Sequence, residues 1–187
     1  MAKAIFLDKD GTLIPDIPYN VKPALITLQA NAIKGLQRLR DEGYLFIVIS
    51  NQAGVASGIF TEDALPAVEK RLAELMDVHG LQLSGFYYCP HYPDGIVEGY
   101  NYDCDCRKPK PGMIINAGQD HNIDLAESWM IGDILNDVEA GNRAGCKTVL
   151  IDNGNETEWV TGPMRVPTYT CTSINQAATN ILTTQMA

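Results

Sequence analysis

Short apolar runs rich in β-branched and aromatic residues recur along this chain, and stretches with helical spacing separate them. The runs are Ile5–Leu7, residues 44–50 (YLFIVIS), Gly85–Tyr88, Trp129–Ile131 and residues 147–151 (KTVLI). Between them, Ile33, Leu36 and Leu39 predict a helix over about 31–42. Leu65, Val68, Leu72 and Leu75 predict another over about 62–79. Further helices are expected at 113–120 and 135–144, and a weaker one near 174–182 in a tail rich in Thr and Asn. Strands that alternate with helices require crossover connections, which make the strands parallel and put helices on both sheet faces. The expected fold is α/β, three layers, with no long insertion that would make a separate cap domain.

Chemistry concentrates where the first run stops. IFLDKDGTLI, residues 5–14, ends its apolar stretch in Asp8 and Asp10, and Gly11 permits a sharp turn. The carboxyl ends of parallel strands are where open α/β sheets bind ligands. Two carboxylates so close repel unless a cation lies between them or one keeps a proton. Magnesium favours oxygen ligands of this kind and commonly adds substrate phosphate. An EF-hand loop also begins Asp-x-Asp-Gly, but its sixth and twelfth positions need Gly and Glu, and here hold Leu13 and Tyr19.

Three further segments follow in order. The second run ends in Ser50 and Asn51 before Gln52, Ala53 and Gly54, a hydroxyl and neighbouring amides suited to phosphate oxygens. CRKPKPG supplies Arg107, Lys108 and Lys110, and WMIGDILND places Asp133 and Asp137 after a strand. Each alone reads as an ordinary turn, basic cluster or helix start; together they converge on phosphate chemistry.

A second cluster is soft. Cys89, His91, Cys104 and Cys106 are spaced C-x-H, twelve residues, C-x-C. Cys₃His is a structural zinc set, and four protein ligands leave no open position for water. The metal would fix the 89–106 loop next to Arg107. Cys146 and Cys171 fall outside the cluster and are expected as small buried hydrophobes. His79 and His121 are expected near helix ends, solvated or capping.

DKDGT, the SNQ segment, the RKP lysine and GDxxxD resemble the four signatures of the haloacid dehalogenase superfamily, in order, across residues 5–141. CPH followed by CDCRKPKPGM is similar to its zinc-containing group, which includes heptose bisphosphate phosphatases and histidinol-phosphate phosphatases. The twelve-residue gap resembles the heptose branch, and the likeness fades after about Asn153. The resemblance implies a Rossmann-like sheet and a magnesium-dependent phosphatase working through an aspartyl phosphate. Asp8 would be the nucleophile and Asp10 the acid and base. Magnesium would be held by Asp8, Asp133 and the backbone carbonyl of Asp10. Ser50 and Lys108 would bind the transferring phosphoryl group. Asp16, Tyr19, Asn51, Gln52 and Arg107 would contact a phosphorylated sugar. Asp137 would support either the metal site or Lys108.

At 187 residues and 45% hydrophobic, the chain can bury one good core, so a single domain over 1–187 is expected. A net charge of −9 argues against nucleic acid as a partner. No apolar run nears the ~20 residues that span a bilayer. MAKAIFLDKD lacks the apolar stretch of a signal peptide. A cytoplasmic monomer is the expectation.

Overall fold

The computed structural model describes residues 1–187. Six strands form one sheet: β1 (Lys3–Leu7), β2 (Tyr44–Asn51), β3 (Leu83–Cys89), β4 (Trp129–Gly132), β5 (Lys147–Ile151) and β6 (Tyr169–Cys171). Every pairing is parallel, and the order is β3-β2-β1-β4-β5-β6. This is the doubly wound arrangement, in which the chain leaves β1 in one direction and later returns to its other side at β4. The crevice between the ends of β1 and β4 is therefore the topological switch point.

Alternation along the central strand assigns its residues to two cores. Ile5 and Leu7 join one cluster with Phe46, Val48, Trp129 and Ile131, whereas Ala4 and Phe6 join the other with Ile47, Ile49 and Met130. The first face is covered by α1 (Ile33–Asp41), α2 (Leu65–Asp77) and α5 (Ile174–Met186) through Leu36, Leu39, Val68, Leu72, Ile174 and Ile181. The second is covered by α3 (Gly112–Asp120) and α4 (Leu135–Ala144), through Met113, Ile114, Ala117 and Ala140. Helices on both faces explain why the central strands read as continuous apolar runs.

The expected elements are present with boundaries moved by up to three residues at most ends. The second helix starts later than its apolar spacing suggests, because residues 62–64 form a 3₁₀ turn and Pro66 sits in the first helical turn, where a missing N–H costs nothing. The tail differs more. It contributes an edge strand, β6, and α5 runs on to Met186. Ser173 caps α5 by accepting the Gln176 N–H, and Ile174, Ala177, Ala178 and Ile181 are buried. Helices α1 and α5 approach so closely that a β-carbon on Gly35 would lie 2.8 Å from the Asn175 backbone. The Gly35 N–H instead donates to Asn175 Oδ1 at 2.6 Å.

Cys146 and Cys171 are buried, as expected. His121 caps the end of α3 and packs edge-on against Tyr87, and the His79 carbonyl accepts from Gln37. Residues 90–111, between β3 and α3, hold no helix or strand and carry most of the thiol cluster. No helix is long and apolar enough to cross a membrane.

Candidate active site

The end of β1 is fixed to β4 by the Asp8 N–H, which donates to the Ile131 carbonyl at 3.0 Å. Asp133 follows β4, and Asp137 lies in the first turn of α4, where its Oδ2 accepts the Ile134 N–H at 3.2 Å. Asp8, Asp133 and Asp137 bring carboxylate oxygens within 4.8 Å of one another. Lys108, two residues after Cys106 of the thiol cluster, reaches this group and is 3% exposed. Its Nζ donates to Asp8 Oδ1 at 2.7 Å and the Ile49 carbonyl at 2.8 Å, and pairs with Asp137 Oδ1 at 2.7 Å. Two ammonium protons are thus donated in hydrogen bonds, and the third contact, to Asp137 Oδ1, is a charge pairing without hydrogen-bond geometry.

Three carboxylates and one ammonium leave a deficit of positive charge. Burial, then the charges of Asp8 and Asp137, push the Asp133 carboxyl up to about 8. Burial and Asp8 push Asp137 up to about 6 against the pull of Lys108. Burial works against the Lys108 charge, but Asp137 and Asp8 prevail and hold its ammonium above the ordinary lysine range. The donors are all oxygens, and a divalent cation would supply the charge that a proton on Asp133 otherwise provides. This set fits a hard cation such as magnesium.

The Asp10 side chain points elsewhere. Its Oδ1 pairs with Lys9 Nζ at 2.9 Å, and its Oδ2 lies 3.5 Å from Gln52 Nε2. Burial raises its carboxyl above the ordinary value despite the opposing Lys9 charge. Gln52 also donates to Ser50 Oγ at 2.6 Å, so the Ser50 hydroxyl, 1% exposed, lies beneath the glutamine amide. Asn51 has both ends of its amide on the Lys108 backbone: Oδ1 accepts the N–H at 3.0 Å, and Nδ2 donates to the carbonyl at 3.1 Å.

Two adjoining cavities form the cleft. One of about 220 Å³ is lined by Asp8, Asp10, Lys108, Asp133, Asp137 and Asn155. The other, about 420 Å³, brings Asp10, Asp16, Tyr19, Asn51, Gln52 and Arg107 together. Tyr19 adopts φ 54° and is 57% exposed at the rim. The Arg107 guanidinium stacks 4.7 Å over the Tyr92 ring. The largest cavity, about 590 Å³, is lined by Val55, Ile59, Phe60, Glu62, Tyr88 and Tyr100 and contains none of these groups.

The soft cluster is assembled as the spacing predicts. Cys89 Sγ lies 2.8 Å from Cys106 Sγ, 3.4 Å from Cys104 Sγ and 3.7 Å from His91 Nδ1. Cys106 Sγ is 3.3 Å from both Cys104 Sγ and His91 Nδ1. These separations, 2.8 to 3.7 Å, are shorter than the edge of about 3.8 Å that zinc–sulfur bonds of ~2.3 Å give in a tetrahedron, so the four ligands need to spread, by up to about 1 Å, to admit the ion. Hydrogen bonds from the neighbouring thiols and His91 draw the Cys106 thiol down to about 5, favouring the thiolate that metals need. His91 Nε2 meets the Tyr102 hydroxyl at 2.9 Å, which fixes the ring with Nδ1 inward.

Several residues of the site escape the sequence reading. Lys9 is 1% exposed and neutralises Asp10, although it lies within the DKDGT stretch itself. Thr12 Oγ1 lies 3.3 Å from Asp8 Oδ2. Asn155 Nδ2 donates to Asp133 Oδ2 at 2.7 Å from the loop after β5. The polar run Asp152-Asn153-Gly154-Asn155 at that strand's carboxyl end was the available signal.

Residues 105–177 match a family model described as HAD-hydrolase-like. A D-glycero-beta-D-manno-heptose-1,7-bisphosphate 7-phosphatase of Haemophilus ducreyi is 45% identical over 158 residues, covering 81% of this chain and 84% of that protein. A D-glycero-alpha-D-manno-heptose-1,7-bisphosphate 7-phosphatase of Photorhabdus laumondii is 38% identical, covering 83% and 85%. The crystal structure of a D,D-heptose 1,7-bisphosphate phosphatase from B. bronchiseptica, complexed with magnesium and phosphate, superposes with a TM-score of 0.77 at 28% identity, covering 99% of each chain. A switch-point cluster of carboxylates around a buried lysine, on a doubly wound sheet shared with such relatives, marks a phosphoric monoester hydrolase, and the chain belongs to the heptose-1,7-bisphosphate 7-phosphatase family of haloacid dehalogenase-like hydrolases.

Proposed function

We propose that this enzyme removes the 7-phosphate of D-glycero-D-manno-heptose 1,7-bisphosphate, a step toward nucleotide-activated heptose, through an aspartyl phosphate on Asp8. The observation that carries the reading is the Asp8 carboxylate at the β1 end, held by Lys108 and open to a cleft lined by Arg107. Asp8 Oδ attacks phosphorus and the bond to the C7 oxygen breaks. Asp10 donates its proton to the departing oxygen, and its raised carboxyl value suits that role. Asp10 then takes a proton from water, which attacks phosphorus, releases phosphate and restores Asp8. Magnesium, held by Asp8, Asp133 and the Asp10 carbonyl, would neutralise phosphoryl oxygens. Lys108 and Ser50 bind the transferring group; the Gln52 amide donates to Ser50 Oγ, which leaves the hydroxyl proton free for a phosphoryl oxygen.

Arg107, Asp16, Tyr19 and Gln52 grip the sugar and its remaining phosphate, while Asn51, expected among these contacts, holds the Lys108 backbone. Zinc in the Cys89–His91–Cys104–Cys106 cluster is structural. It anchors the chain leading into Arg107, whose N–H already points to Cys104 Sγ at 3.3 Å. The chain acts as one domain and as a cytoplasmic monomer without nucleic-acid or membrane partners, in keeping with five free thiols and the net charge of −9.

A phosphate-release panel tests the reading. The two heptose bisphosphate anomers should be hydrolysed fastest, and Asp8→Asn should lose about 10³-fold or more. Faster turnover of histidinol phosphate would overturn the substrate, and an active Asp8→Asn would overturn the covalent route.

A further inference from the structure

Between β5 and β6 the chain returns to the catalytic cleft with three polar anchors inside four residues, Asn153 to Glu156. Asn153 Nδ2 donates to the Gly11 carbonyl at 2.7 Å, and its Oδ1 accepts the Asn155 N–H at 3.2 Å. Asn155 Nδ2 donates to Asp133 Oδ2 at 2.7 Å. The buried Glu156 carboxylate accepts the Leu135 N–H at 2.7 Å, then the N–H groups of Glu158 and Trp159 at 2.9 and 3.2 Å. The base of this strap is fixed to the sheet edge by the Asp152 N–H, which donates to Cys171. One segment therefore spans the loops that follow β1 and β4, which carry Asp8 and Asp133.

The fit is tight. A β-carbon on Gly11 would collide with Asp133 Oδ2 and lie 2.5 Å from Asn155 Nδ2. Asn155 is half-buried and lines the catalytic cavity, and it is the side-chain donor to Asp133. Without that donor the carboxylate would face two like charges and could rotate freely. Its neutral amide adds no charge, so it holds one oxygen and leaves the other for a cation.

We infer that Asn155 is a positioning residue that fixes the Asp133 carboxylate and thereby sets the enzyme's affinity for its divalent cation. The inference rests on the reading that Asp8 and Asp133 hold magnesium. An outer-sphere partner of this kind is worth 10–100-fold in metal affinity. Asn155→Ala should raise the magnesium Kd of the zinc-loaded enzyme about tenfold or more. Asn155→Leu, which keeps the branching at Cγ and removes the donor, should do the same. Glu158→Ala, in the same segment, should leave the Kd unchanged.

Isothermal titration of magnesium chloride reads this without turnover, and melting of the magnesium-free proteins checks the fold. Wild-type protein that binds no magnesium would overturn the underlying metal assignment. Wild-type binding with both Asn155 variants within twofold of it would overturn the positioning role alone. Loss of the magnesium-free fold in both variants would also overturn it, by making Asn155 a structural residue.

Discussion

Lys108→Met removes one charge, two hydrogen bonds and an ion pair while keeping the length of the aliphatic stem. In the native protein the ammonium lies 2.7 Å from Asp8 Oδ1, 2.7 Å from Asp137 Oδ1 and 2.8 Å from the Ile49 carbonyl. The variant leaves Asp137, 2% exposed at its side chain, as a buried carboxylate without its ion pair. Breaking such a pair from one side costs about 3–5 kcal/mol, a fall of roughly 6–20 °C in Tm for a chain of this size.

The loss should depend on pH with a definite sign. Asp137 is raised to about 6 in the folded protein, so the stability tied to its protonation is full at the unfolded carboxyl value and lost as pH rises through 6. Removing Lys108 takes away the charge that lowers this value, so the variant should suffer most where the carboxyl must ionise. Thermal melts of zinc-loaded, magnesium-free protein should show a larger gap between wild type and Lys108→Met at pH 8 than at pH 5.5. Added magnesium should narrow the gap by neutralising Asp8 and Asp133. A gap at pH 8 under about 1 kcal/mol, or an equal gap at both pH values, would refute the charge accounting.

Purified wild-type protein should carry one zinc per chain by elemental analysis, and Cys104→Ser should lower both zinc content and Tm; zinc-free protein of full stability would reject a structural metal. Arg107→Ala should reduce kcat/KM for heptose bisphosphate by about 2–3 kcal/mol, far more than for an aryl phosphate, because Arg107 lines the outer cavity. Equal losses on both substrates would assign Arg107 to the reacting phosphate or the fold. Gly11→Ala should destabilise the protein by about 1–3 kcal/mol, since φ is +81° and the new methyl meets Asp133; an unchanged melting curve would contradict this packing.

What the sequence disclosed and withheld follows from where each interaction is encoded. The strands at Ile5–Leu7, Trp129–Ile131 and residues 147–151 are legible because burial on both faces demands unbroken apolar runs, and parallel pairing follows from the helices between them. Residues of the strand-end cluster are legible as well, because acid after an apolar run is costly unless it is used. Strand β6 was not: YTC is three residues long, half-polar and at an edge, with only Cys171 buried. Helix α5 reads as weak because it is rich in Thr and Asn, yet its buried stripe of Ile and Ala packs against α1. Asn155 escaped for a different reason. An asparagine after a strand ordinarily signals a turn, and only the crossing of two loops in space gives its amide a carboxylate to hold.

The placement of Lys108 joins the two clusters that sequence spacing presents as separate. Its backbone is gripped on one side by Asn51, whose amide accepts the Lys108 N–H and donates to the Lys108 carbonyl. On the other side Arg107 connects it to Cys106, with the Arg107 N–H directed to Cys104 Sγ. A lysine side chain has four rotatable bonds, so two hydrogen bonds and an ion pair at Nζ demand a fixed starting point on the backbone. Asn51, expected among the sugar contacts, has both polar groups of its amide committed to this task. The thiol cluster fixes the same short stretch from the side where residues 90–111 have no helix or strand to hold them. The thiol cluster and the Asn51 amide thus together set the backbone position from which an ammonium reaches the Asp8 carboxylate.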